Sequence, residues 1–145
     1  MAKAKGPQRI EKTVELLRAW QALERDAVNT TAEIMETTDN ALIRQIMEII
    51  RNDSVQHHRV QQFVIDHLTR KPVQLQPADL AEIWARIEAH DEVERKTIEL
   101  AKELRETCTD PVARIILDYL IVDEQKHDTI IGQLEELKRH MSKLS

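Results

Sequence analysis

An internal repeat constrains this chain more than any other feature. A shift of 70 residues lays residues 24–57 on residues 94–127 without a gap. Nine of the 34 positions are identical, against about two or three expected by chance, so a duplicated motif accounts for the match. The identities are Glu24/Glu94, Arg25/Arg95, Glu33/Glu103, Glu36/Glu106, Thr37/Thr107, Arg44/Arg114, Ile46/Ile116, Asp53/Asp123 and His57/His127. Val28/Ile98, Ile34/Leu104, Asn40/Asp110, Met47/Leu117 and Ile50/Leu120 are conservative pairs.

Within each copy, apolar residues recur at spacings of three and four rather than two, which is the period of an amphipathic helix. Two glycines, four prolines and four aromatic residues in 145 leave little material for turns or strands. The spacing predicts helices over about 8–37, 41–68, 80–106 and 111–141. Their inward stripes include Ile10, Trp20, Ile43, Ile50, Val60, Ile83 and Leu104. Asn40 and Asp110 are N-cap candidates, with Pro111 at the first helical position. Asp79 with Glu82 reads as a capping box that opens the third helix.

The expected architecture is an all-α four-helix bundle over residues 8–145, made of hairpins 8–68 and 79–141 and a link over 69–78. Residues 1–7, polar and broken by Gly6-Pro7, are expected to be disordered. If the second and third helices run parallel, the link must climb about 37 Å. Drawn out, its roughly 11 residues reach about 36–40 Å.

The repeat superposes three polar residues that interrupt the apolar stripes. Glu24 falls on Glu94, Asp53 on Asp123 and His57 on His127, and Glu124 joins them in the second copy. An ionised carboxylate in an apolar stripe is costly unless it meets a cation or a proton. Glu124 and His127 are three residues apart and share a helix face. A carboxylate beside an imidazole is a standard way to hold a divalent metal.

The set resembles the ferritin-like superfamily of four-helix-bundle carboxylate proteins, which includes rubrerythrins, bacterioferritins and encapsulin-associated ferritins. In that family each hairpin gives a Glu from its first helix and a Glu-x-x-His pair from its second, and together they hold two ions. Glu94 with Glu124 and His127 fits this pattern in the second copy. Glu24 and His57 fit in the first, but Ser54 stands where the pair's Glu belongs. The resemblance implies iron or manganese as cofactor, one or two ions, and oxidase- or peroxidase-type chemistry with O2 or H2O2. It also implies that Asp53 braces His127 and that Asp123 braces His57. Because a hydroxyl is a poor ligand for these ions, three states stay open: a weakened two-metal site, a one-metal site, and a metal-free buried network.

A net charge of −5 supplies no basic footprint for nucleic acid or an anionic membrane. No run approaches a membrane span, so the expected location is the cytoplasm. The lone Cys108 excludes an internal disulfide and any rubredoxin-type iron site. A homodimer through an exposed helix face is expected. His90, one turn before Glu94, reads as a residue lining the bundle near the site, and Tyr119 as a core aromatic. His58, His67 and His140 read as surface residues. A bundle that keeps the polar core but serves as a partner-binding or scaffold protein is the alternative function.

Overall fold

The computed structural model describes residues 6–144 and the side chains of residues 6–141. Every element among them is helical: α1 (Gly6–Thr37), α2 (Ala41–Thr69), α3 (Pro77–Ala81), α4 (Trp84–Thr107) and α5 (Pro111–Leu144). The chain divides into two compact units, Met1–Val73 and Gln74–Ser145. In the first, α1 packs along α2; in the second, α4 packs along α5 and α3 rests on α5. Among the described residues no helix is long and apolar enough to cross a membrane.

The two hairpin turns repeat the 70-residue shift atom for atom. Asn40 Oδ1 accepts the Ile43 N–H at 3.1 Å, and Asp110 Oδ1 accepts the Ala113 N–H at 2.8 Å. The carbonyls of the same two residues accept from Arg44 and Arg114, each at 3.0 Å. Each cap thus satisfies N–H groups that a helix start leaves without partners. The Arg44 guanidinium donates to the carbonyls of Met35 and Thr38, closing the other side of the first turn. In the second hairpin Arg105 Nε reaches Asp118 Oδ1 at 2.7 Å and ties the end of α4 to the start of α5.

The third expected helix is broken. Residues 77–81 form the short α3, and α4 starts only at Trp84. The Ile83 N–H bonds to the Leu80 carbonyl at 3.2 Å, an i→i+3 bond that tightens the chain between the two pieces. The break falls at Glu82 and Ile83, just after Leu80, which is 4% exposed. The capping box that opens α3 is Gln76 with Asp79, one turn earlier than the expected Asp79 with Glu82. Pro77 sits at the first helical position, where its missing N–H costs nothing.

The link is accordingly shorter than 69–78, because Thr69 ends α2 and Pro77 begins α3. His67 serves the end of α2: its Nδ1 accepts the Val73 N–H at 2.8 Å. Of the expected disordered stretch 1–7, residues 1–5 lie outside the described residues, while Gly6 and Pro7 are helical. Proline is compatible with a first helical turn.

The seam of each hairpin is polar. Gln21, Glu24 and Thr31 on α1 and Ser54 and Gln61 on α2 are all at least nine-tenths buried, as is Glu94 on α4. Their spacings of three and seven place them along one helix face. Only Ile65 and Leu80 are buried apolar residues among those described. Ile10, Trp20, Ile43, Ile50, Val60, Ile83 and Leu104, expected to face inward, are exposed. The physical reason is that two antiparallel helices cover only the narrow strip between them, so a two-helix unit cannot bury a full amphipathic stripe.

Equivalent caps should carry equivalent energy. Asn40→Ala and Asp110→Ala are each expected to cost about 1 kcal/mol. The check is the urea midpoint of unfolding, with the slope unchanged. A loss below about 0.3 kcal/mol at either site would show that its turn does not depend on the cap.

Candidate metal centre

α4 and α5 bring Glu94, Glu124 and His127 together. One ligand atom from each lies within 4.8 Å of the others; Glu94 is buried, Glu124 half-buried and His127 exposed. His127 Nδ1 stands 3.4 Å from Glu94 Oε1 and 3.6 Å from Glu124 Oε2. Ligand bonds of about 2.0–2.2 Å put neighbouring donors about 3–3.6 Å apart, so the spacing suits one ion. Two carboxylates and an imidazole are a donor set that Fe2+, Mn2+ and similar ions accept.

The electrostatics of the three point the same way. Glu94 and Glu124 approach closely enough to share a hydrogen bond, which two ionised carboxylates cannot do. The hydrogen bond from Glu124 holds Glu94 below the ordinary carboxylate range, aided by His90 and His127 and opposed by burial. Glu124 is pushed up, first by that same bond and then by burial and by the Glu94 charge. The contact thus moves the two carboxyls in opposite directions, Glu94 down and Glu124 up.

Asp123 stands beside the site on α5. Its Oδ1 pairs with Lys126 at 2.8 Å, and its Oδ2 lies 3.8 Å from His127 Nε2. That second distance is ion-pair reach rather than a hydrogen bond. It leaves Nδ1 of His127 as the nitrogen turned toward the two glutamates.

The first hairpin carries the same pair with less around it. His57 Nδ1 lies 3.3 Å from Glu24 Oε1, matching the 3.4 Å between His127 and Glu94. Glu24 and Glu94 are each 8% exposed. Ser54, 5% exposed, takes the place of Glu124 and brings no carboxylate. Asp53, half-buried, precedes it. Beside Glu24 and Ser54 runs a groove of about 370 Å³, lined also by Arg25, Val28, Asn29, Val55, His58 and Arg59. Among the described residues Glu94, Glu124 and His127 are the only group of three such ligands.

Flanking contacts obey the repeat too. Arg25 donates to His58 Nε2 at 3.1 Å, and its equivalent Arg95 reaches Asp128, the equivalent of His58, at 3.4 Å. His58 is thus a cross-helix acceptor at the interface of α1 and α2. Two contacts escaped the sequence reading. His90 Nε2 lies 2.8 Å from Glu94 Oε1, and the one signal for it was the i,i+4 spacing on α4. Asp91 pairs with Arg95 at 3.0 Å while facing Asp128.

Comparison of the chain with protein-family models, curated proteins and solved structures finds no match.

Asp91 yields a pH prediction. Burial raises its carboxyl above the ordinary value, and Asp128 and Glu135 add to the rise while Arg95 opposes it. A carboxyl raised on folding contributes stability that is full below its unfolded value and is lost as pH climbs through the folded one. Asp91→Asn keeps the shape, accepts from Arg95 and can donate to Asp128. The stability of this variant relative to wild type should therefore rise between about pH 4 and about pH 7. Thermal melts across that range test it, and a flat or falling difference rules it out.

Proposed function

We propose that the second hairpin holds a divalent transition-metal ion on Glu94, Glu124 and His127. The observation that carries this reading is the convergence of three donor atoms within 4.8 Å at the buried seam of α4 and α5. The carboxylate pair supports it, because two acids held side by side offer paired negative oxygens to a cation. The finer reading is a ferritin-like four-helix protein that uses iron or manganese, in a cytoplasmic homodimer. Glu24 and His57 are its weaker first-hairpin half.

Bound iron or manganese would supply one-electron chemistry toward O2 or H2O2. The chain's own residues set the terms of binding. Glu94 and Glu124 would provide charge. His127 would contribute Nδ1, with the Asp123 carboxylate 3.8 Å from its Nε2. Side-chain exposure of 47% at His127 leaves a path from solvent to the ligands.

A partner-binding helical module is the second reading. It is favoured by the exposed Val112, Ile115, Val122, Ile130 and Leu137 on α5 and by the loss of a carboxylate at Ser54.

Metal analysis separates the two. Protein from iron- and manganese-rich medium should carry close to one ion per chain. Free ion at about 100 times Kd should add about 2.7 kcal/mol to stability. His127→Ala should abolish that gain and His57→Ala should leave most of it. Below about 0.2 ion per chain, with an unchanged melting temperature, the metal reading is wrong and the module remains. Ser54→Glu, whose side chain the adjoining groove can admit, should raise the metal content by supplying a second carboxylate beside Glu24 and His57.

A further inference from the structure

The 70-residue shift places His90 where the first hairpin has Trp20. This is the second point, after Ser54 and Glu124, at which the two seams differ beside the Glu–His pair. Trp20 is 53% exposed, and His57 is the one ion-pair partner of Glu24 among the described residues. Glu94 has two. His90 Nε2 approaches Oε1 at 2.8 Å from one turn earlier on α4, and His127 Nδ1 approaches the same oxygen at 3.4 Å from α5. The 2.8 Å contact is a charge-assisted hydrogen bond in length, while the 3.4 Å contact is looser. His90 is outside the group of three whose ligand atoms converge.

A side chain that bonds a ligand oxygen without joining the ligand group controls how that carboxylate is turned. Glutamate has three side-chain torsions, and its terminal one is broad and nearly unrestrained. Fixing it before the ion arrives removes an ordering cost from binding. Partners of this kind typically contribute 10- to 100-fold in metal affinity.

We propose that His90 is a positioning residue of the cation site: its Nε2–H donates to Glu94 Oε1 and presets the carboxylate for the ion that Glu124 and His127 share. The inference rests on the metal reading above and adds a residue that the Glu and Glu-x-x-His pattern does not contain. It also assigns the second hairpin a preorganised site and the first a loose one, since no equivalent donor reaches Glu24 from position 20.

Co2+ alone is the probe, read by its dissociation constant and its visible absorption spectrum in the full chain. His90→Ala should weaken Co2+ binding by about 10- to 100-fold. The spectrum of the bound ion should keep its nitrogen-ligand character, since His127 still supplies the nitrogen. His90→Gln, whose amide can donate to Glu94, should recover most of the affinity. With a side chain 61% exposed, His90 can be replaced without opening a core, and metal-free melts of both variants check this. Unchanged affinity in His90→Ala overturns the proposal. Loss of affinity with loss of a nitrogen ligand from the spectrum overturns it as well, by making His90 a direct ligand. Glu94→Ala and Glu124→Ala distinguish failure of the underlying reading: if they bind Co2+ as the wild type does, the site itself is wrong and His90 has nothing to position.

Discussion

The second hairpin depends on the meeting of Glu94 and Glu124. Two carboxylates this close on packed helices repel when both are ionised, so each shifts the other's affinity for a proton. Their surroundings divide them, with Glu94 held low and Glu124 pushed high. Every polar group nearby is arranged around this contact. His90 and His127 bracket Glu94, and Asp123 lies on the far side of His127. An apolar pair at these two positions would close the seam at lower electrostatic cost. The chain places the acids at the point on α4 where burial is deepest, at Glu94.

The same logic organises the rest of the seams. Helical hairpins of this length bury little apolar surface, and apart from Ile65 and Leu80 their buried side chains among the described residues are amides, hydroxyls and carboxylates. Gln21 donates to the His58 carbonyl and to Gln62, which in turn donates to Asp66. Thr31 bonds back to the Ala27 carbonyl. Gln61 is the exception, because neither its amide nitrogen nor its oxygen meets a protein partner. A polar seam fixes register by directional bonds, where an apolar one would tolerate sliding. Matching caps at Asn40 and Asp110 fix it from the turn, so the Glu–His pairs fall at the same height in both hairpins.

Much of this was legible in the sequence because the repeat carries both position and chemistry. A shift of 70 residues anticipates the starts of α2 and α5, the two caps and the equivalence of Glu24 and His57 with Glu94 and His127. The break after Ala81 was not legible, since Glu82 and Ile83 are ordinary helix residues. Apolar stripes misled in one respect: periodicity names the face of a helix, while exposure depends on what covers it. Trp20 and Val60 keep the inward phase and remain exposed. His90 was legible as a neighbour of Glu94 by spacing, yet only the 2.8 Å contact gives it a role.

Duplication leaves two copies of one seam, and the differences between them separate scaffold from chemistry. The turns, the buried glutamate, its histidine and the arginine beside it are shared, and these residues set the geometry. Along the seam the other enclosed positions differ, with Gln21 against Asp91, Thr31 against Ala101 and Gln61 against Ile131. At the buried glutamate two further changes act in one direction: Glu124 and His90 stand beside Glu94, where the first copy has Ser54 and the exposed indole of Trp20.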